Sequence, residues 1–172
     1  ALADIVDRRL FLIGAQVCLH AAMTGLRMAA PLMALREGHS PAAVGLLLAL
    51  FALSQVFLAL PAGRFTDRHG MRRPVRLAVV VAMAGNALAA AWPEFPMLCL
   101  AALMTGAASG LTVIALQRHV GRLARDASEL RQVFSWLAIG PSISNFLGPF
   151  LSGLLIDASG FRAAYLMLAL IP

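Results

Sequence analysis

Long apolar runs alternate with short polar segments along the whole chain. Five runs have about the 20 residues that a helix needs to cross the hydrocarbon core of a bilayer, and a sixth begins near the last residue. We therefore predict an all-α membrane protein whose sixth helix is incomplete. The predicted spans are residues 10–35, 41–62, 74–92, 97–117, 132–156 and 161–172.

Polar residues mark the expected helix ends. Ser40 followed by Pro41 is typical of an N-cap with proline in the first helical position, and predicts the start of helix two. Residues 4–9 form a polar segment before the first span, and residues 118–131 form a longer polar connector. Within that connector, Asp126 and Glu129 have the spacing of a variant capping box for helix five.

Composition supports the membrane interpretation. Hydrophobic residues make up 60% of the 172 residues, and the mean hydropathy of +0.83 lies far above that of a soluble domain. The net charge of +6 comes with 14 basic residues, all of them arginine. Because these arginines cluster between the apolar runs, we interpret the charge as setting topology and predict no nucleic-acid partner. The arginine usage is typical of a GC-rich bacterial genome.

The arginines also predict orientation. With five crossings, eleven arginines fall on one side of the membrane, whereas only Arg36 and Arg162 fall on the other. Cytoplasmic segments carry an excess of basic residues, so the arginine-rich side is expected to be cytoplasmic. This places the N-terminus in the cytoplasm of a multi-pass protein of the cell (inner) membrane. The eleven are Arg8, Arg9, Arg64, Arg68, Arg72, Arg73, Arg76, Arg118, Arg122, Arg125 and Arg131.

The densest polar segment lies between spans two and three and reads G-x-x-x-D-R-x-G-x-R-R from Gly63 to Arg73. We expect a short charged loop here. This pattern resembles the loop between the second and third helices of the major facilitator superfamily of transporters. Met71 replaces a residue that is usually basic in that family. Gly70 suits a left-handed turn, and Asp67 suits pairing with an arginine or capping of a helix.

The resemblance implies that the chain is the N-terminal six-helix half of a twelve- or fourteen-helix transporter that works by alternating access. The implied partners are the lipid bilayer, a small-molecule substrate and a missing C-terminal half of the same protein. The resemblance also implies that the charged segment latches the two halves together on the cytoplasmic side. The residues that carry this gate motif are Gly63, Asp67, Arg68, Gly70, Arg72 and Arg73.

A weaker copy of the charged motif recurs 90 residues later. The spacing of Gly63, Asp67, Gly70 and Arg72 is repeated by Gly153, Asp157, Gly160 and Arg162, and Ser54-Gln55 aligns with Ser144-Asn145. The two copies end helices two and five, which leave the membrane on opposite sides. This is the arrangement expected of two inverted three-helix repeats, from which many secondary transporters are built.

Helix one carries the best candidate for substrate contact, Arg27, which lies well inside the span. A charge at membrane depth costs about 2.5–3.5 kcal/mol on insertion scales, so it usually faces a cavity or a partner. Its helical face forms a polar stripe that we expect to line a central cavity. The alternative is that Arg27 reaches the outer interface or pairs with the missing half. The cavity candidates are Gln16, His20, Met23, Thr24 and Arg27 of helix one, with Gln55, Asn86 and Asn145 from other helices.

Helix five contains Gly148-Pro149-x-x-Ser152-Gly153, which resembles the G-P-x-x-G-G element of the superfamily's antiporters. The motif residues Gly148, Pro149 and Gly153 would give a bendable, closely packed helix, and an ordinary kinked helix is the alternative. The middles of the spans contain no Asp or Glu. Proton coupling would therefore use His20 or a carboxylate of the missing half, unless the carrier is not coupled to protons.

The sequence thus predicts a secondary active transporter for a small organic solute, with proton-linked efflux favoured by the helix-five element. Uptake of an organic anion recognised by Arg27 is the alternative. A different class also stays open, namely a transporter-like membrane module fused to an enzyme or sensor. We expect no enzymatic activity and no cofactor or metal, because neither a nucleophile nor a metal-ligand cluster is evident, and Cys18 and Cys99 lie apart within apolar spans.

Overall fold

The structure is a computed structural model that describes residues 2–123 and 127–172. Within these ranges the chain forms helices only, and five of them are long and apolar enough to cross a membrane. The predicted all-α membrane fold is therefore confirmed. The helices are α1 (Leu2–Arg36), α2 (Pro41–His69), α3 (Arg72–Ala91), α4 (Phe95–Leu123), α5 (Ala127–Ser159) and the short α6 (Phe161–Leu170).

Several helices extend beyond the predicted spans at the arginine-rich end of the bundle. α2 runs to His69, so most of the segment expected as a charged loop is helical, and only Gly70 and Met71 separate α2 from α3. α1 likewise includes residues 4–9, and α4 includes residues 118–123. A helix satisfies its own backbone hydrogen bonds, so it can leave the bilayer unbroken while its charged side chains face water. The predicted cap at Asp126 lies outside the described residues.

The helix boundaries agree with the local chemistry where it is specific. Ser40 accepts a hydrogen bond from the backbone N–H of Ala43 at 3.2 Å, with Pro41 at the first helical position, so this predicted cap is confirmed. Gly70 and Gly160, which correspond in the 90-residue repeat, both have positive φ, +69° and +85°. Residues with a Cβ atom strongly disfavour positive φ, so a glycine follows the last residue of both α2 and α5 for the same reason.

Two helix crossings dominate the bundle, α1 against α5 and α2 against α4. The 90-residue repeat relates α1 to α4 and α2 to α5. The α1–α5 crossing therefore corresponds to the α2–α4 crossing. The core is rich in alanine around a few large side chains, among them Phe51, Tyr165 and Leu26. Small residues allow close approach of helices in a membrane, where dispersion contacts provide much of the association energy.

The repeat is visible in individual contacts. A Cβ added to Gly63 of α2 would lie 2.8 Å from the Arg118 guanidinium of α4, and a Cβ added to Gly153 of α5 would lie 3.6 Å from the Met28 methyl of α1. Gly63 and Gly153 are 90 residues apart, and so are Met28 and Arg118. Equivalent positions are therefore in contact at the two crossings, as the inverted repeat predicts, although an arginine in one is replaced by a methionine in the other.

Candidate functional site

An ion-pair cluster joins α2 to α4 at the arginine-rich end. The Asp67 carboxylate accepts hydrogen bonds from Arg118 and from Arg122, the latter at 2.8 Å. All three side chains are about half exposed. Gly63 lies one turn before Asp67, directly beneath the Arg118 guanidinium. A side chain at Gly63 would displace Arg118. Gly63 and Asp67 of the motif are therefore both required for the contact with Arg118.

The basic residues of the motif are in a different situation. Arg68, Arg72 and Arg73 are exposed, and none of them forms an ion pair with a described residue. Asp67 is therefore neutralised by α4, which leaves a patch of positive charge at the α2–α3 turn. The role in latching two halves, implied by the family resemblance, stays a prediction for these residues.

Sequence reasoning used Arg118 and Arg122 only to assign orientation and did not pair them with Asp67. Their four-residue spacing places both guanidinium groups on one face if the helix continues past residue 117. The expected end of helix four at Gln117 concealed this signal, because residues 118–131 were interpreted as a connector.

The polar stripe of α1 contacts two other helices. His20 shares a hydrogen bond with Ser109 of α4, with 3.2 Å between Nδ1 and Oγ. Three residues on, the Met23 sulfur accepts a hydrogen bond from Gln55 of α2 at 3.4 Å. Three of the predicted cavity residues, His20, Met23 and Gln55, are thus brought together where α1, α2 and α4 meet. Ser109, which is not among the predicted cavity residues, belongs to the same group.

Arg27 is the exposed member of the polar stripe of α1. It is exposed, whereas every other residue from Ala15 to Ala34 is buried or half-buried. None of the described carboxylates forms an ion pair with its guanidinium. An uncompensated charge in an apolar helix is costly unless it faces water or a partner. A role of the exposed Arg27 in binding a polar ligand stays a prediction.

The remaining predicted cavity residues lie elsewhere. Thr24 is buried against α5, where it donates to the Ser144 carbonyl oxygen at 2.9 Å, and Gln16 is buried close to Gly140 of the same helix. Asn86 is fully buried in α3 and donates to the Ala82 carbonyl oxygen. Asn145 is exposed on α5. Gln16, Thr24 and Asn86 thus have surroundings suited to helix packing, and substrate contact by any of the four stays a prediction.

The helix-five motif lies at the α1–α5 crossing. A Cβ added to Gly148 would lie 2.6 Å from the Ala21 carbonyl oxygen and 2.9 Å from the Gly25 backbone nitrogen. Ser144, one turn earlier, donates to the Val17 carbonyl oxygen at 2.9 Å. Backbone-to-backbone approach of this kind requires glycine, so Gly148 sets how closely α5 crosses α1. Pro149 follows inside the helix.

These features define a class: a multi-pass helical membrane protein built from repeated three-helix units, with a charged cluster at the arginine-rich helix ends. The chain belongs to the major facilitator superfamily, whose family model matches residues 12–172. This confirms the resemblance on which the sequence interpretation relied. The chain is accordingly a multi-pass membrane protein of a family of transporters.

One curated relative sharpens the comparison. The chain is 29% identical to the "Multidrug resistance protein D" of Escherichia coli (strain K12) over 133 residues. The aligned region covers 77% of this chain and 32% of that protein, so the chain spans about a third of the relative's length. Within the superfamily, the chain is therefore similar to a protein named for multidrug resistance.

Proposed function

We propose that this chain forms the N-terminal half of a secondary active transporter that moves a small organic solute by alternating access. The observation that supports this best is the polar stripe of α1. There the unpaired Arg27 is exposed, on the same helical face as His20 and Met23, which contact α4 and α2. A solute bound on this face would contact polar groups from three helices of the half, and a second half would enclose it.

Proton-linked efflux is the proposed direction and coupling. Two observations favour efflux, namely the tight crossing at Gly148 within the antiporter-like motif and the similarity to a protein named for multidrug resistance. His20 is the proposed proton-binding group, because it is the titratable side chain that the polar stripe of α1 connects to α4. The arginine-rich helix ends are proposed to face the cytoplasm of a bacterial inner membrane.

The experiment uses the transporter that contains this chain, reconstituted in proteoliposomes with an imposed pH difference. The probe is ethidium, a lipophilic organic cation. We expect ethidium to move against the proton flux, and a collapse of the pH gradient by an ionophore to abolish the movement. Ethidium flux that is indifferent to the gradient would contradict proton coupling.

A pair of variants tests the assigned proton site. His20→Asn keeps a hydrogen-bonding side chain opposite Ser109 but removes the titratable group, so it should abolish gradient-driven flux while leaving ethidium binding in place. Ser109→Ala is the matched control, since it removes the same hydrogen bond and leaves the imidazole. Proton-driven flux that survives His20→Asn would exclude His20 as the coupling residue.

Uptake of an organic anion is the second candidate, and the lone exposed charge of Arg27 favours it. Benzoate is a suitable probe in the same vesicles. If Arg27 binds the carboxylate, Arg27→Gln should raise the KM for benzoate at least tenfold, whereas Arg27→Lys should retain much of the affinity. Ethidium transport with no benzoate transport would reject this candidate.

A further inference from the structure

An apolar groove lies between α2, α3 and α4 and opens to the outside of the bundle. Its walls include Leu58 and Phe65 of α2, Leu77 and Val81 of α3, and Ala107 and Leu111 of α4. From Leu58 to Phe65 the groove extends roughly 10 Å along α2, at 1.5 Å per residue. Leu58 and Leu77 on its rim are 44% and 47% exposed, so a ligand can enter the groove from the outer surface of the bundle.

Positive charge lies at one end of this groove. Arg68 follows Phe65 by three residues on α2, and Arg73 precedes Leu77 by four residues on α3, so each lies one helical turn beyond a groove-lining side chain. Both arginines are exposed. Neither forms an ion pair with a described residue, because Asp67, the adjacent carboxylate, accepts hydrogen bonds from Arg118 and Arg122 instead.

The groove and the arginines form one surface. His69, next to Arg68, packs against the groove-lining Phe65, with the two rings tilted by 43° and their centroids 4.6 Å apart, so the apolar part and the charged part are contiguous along α2. A ligand that matches this surface has an apolar tail that lies along the helices and an anionic head at the helix ends. An acidic peptide would satisfy the arginines but would place unsatisfied backbone groups in the apolar groove.

We propose that this groove is a binding site for an anionic phospholipid. One acyl chain occupies the groove between α2, α3 and α4, and the phosphate lies between Arg68 and Arg73. The α2–α3 turn is thereby fixed to the lipid of the arginine-rich side. This site is separate from the face of α1 that carries Arg27, so it stands whether or not the proposed transport direction is correct.

Native mass spectrometry of the detergent-purified transporter tests the site by counting bound lipids. The probes are phosphatidylglycerol and phosphatidylcholine with identical acyl chains. We expect the wild type to retain phosphatidylglycerol in preference to phosphatidylcholine. Each arginine near a membrane surface contributes about fivefold to anionic lipid binding, so R68Q/R73Q should reduce the preference about 25-fold. The matched control, R36Q/R162Q at the opposite end of the bundle, should preserve it.

A second variant tests the apolar half of the site. Ala107→Leu places three extra carbons in the groove and should lower retention of both lipids, whereas Ala87→Leu, on an exposed position of α3, adds the same bulk elsewhere and should not. Equal retention of the two lipids by the wild type would overturn the proposal without any variant. Displacement of phosphatidylglycerol by inorganic phosphate at equal concentration would overturn it too, since the groove would then contribute nothing.

Discussion

Asp67 of α2 accepts a hydrogen bond from Arg122 of α4 at 2.8 Å, and this contact connects the ends of the two helices at the arginine-rich side. Arg118 donates to the other carboxylate oxygen. The arrangement holds the end of α2 to the end of α4 and leaves the neighbouring arginines of the motif unpaired. The charged motif thus divides into two parts: a clamp, in which Asp67 binds Arg118 and Arg122, and a cationic patch of the unpaired Arg68, Arg72 and Arg73.

Asp67→Asn should change transport more than stability. The clamp is about half exposed, and exposed ion pairs contribute about 0–1 kcal/mol, so the melting temperature in detergent should fall only slightly. Loss of the clamp should loosen the end of α2 against the end of α4 and alter the rate of solute flux in proteoliposomes. Asp157→Asn is the matched control, because Asp157 occupies the repeat-related position and forms no ion pair with a described residue. Equal effects of the two substitutions on flux would contradict a specific role for the clamp.

Gly148→Ala should be strongly destabilising. The added methyl group would meet the Ala21 carbonyl oxygen at 2.6 Å and the Gly25 nitrogen at 2.9 Å, and both are backbone atoms that cannot move without shifting a helix. Overpacking typically costs about 1–3 kcal/mol, and backbone contacts place this site at the upper end. Thermal unfolding in detergent measures the loss.

Gly153→Ala provides the comparison within the same motif. Its added methyl group would meet the Met28 side chain at 3.6 Å, an ordinary van der Waals contact. Alanine also favours helix by about 1 kcal/mol relative to glycine. We therefore expect the melting temperature of Gly153→Ala to equal or exceed that of the wild type. A Gly148→Ala variant as stable as Gly153→Ala would show that the crossing is looser than described.

The His20–Ser109 hydrogen bond should be measurable as a coupling between α1 and α4. Hydrogen bonds between membrane helices average about 0.6 kcal/mol, with a maximum of about 1.7 kcal/mol. A double-mutant cycle of His20→Ala and Ser109→Ala, followed by chemical denaturation in mixed micelles, should give a coupling energy in that range. Strict additivity of the two single substitutions would mean that the contact contributes no stability.

Much of the fold could be predicted because the bilayer restricts it. A run of about 20 apolar residues has little alternative to a spanning helix, and the Ser40 cap and the turn at Gly70 follow from local chemistry. The extensions of α2 to His69 and of α4 to Leu123 could not be predicted from hydropathy, because a helix that has left the membrane and a polar loop have similar composition. The Asp67 clamp was missed for this reason.

The candidate cavity was less predictable than the spans. Helical periodicity places Gln16, His20, Thr24 and Arg27 on one side of α1, but it does not say which helix covers which part of that side. In the structure α5 covers Gln16 and Thr24, α4 contacts His20, and Arg27 stays exposed. These four residues differ in their surroundings because different helices pack against different parts of α1, and the sequence pattern does not contain that arrangement.

The repeat offers a test on the opposite side of the membrane. Met28 faces Gly153 at the position where Arg118 faces Gly63 in the other repeat, so Met28→Arg would supply the missing basic partner for Asp157. We expect the variant to form a second clamp between α1 and α5, and to slow solute flux several-fold because both ends of the half would then be held. Adding Asp157→Asn should restore the flux, whereas Met28→Leu should leave it unchanged. Slow flux that persists in the Met28→Arg, Asp157→Asn double variant would indicate that the buried charge, rather than a clamp, causes the effect.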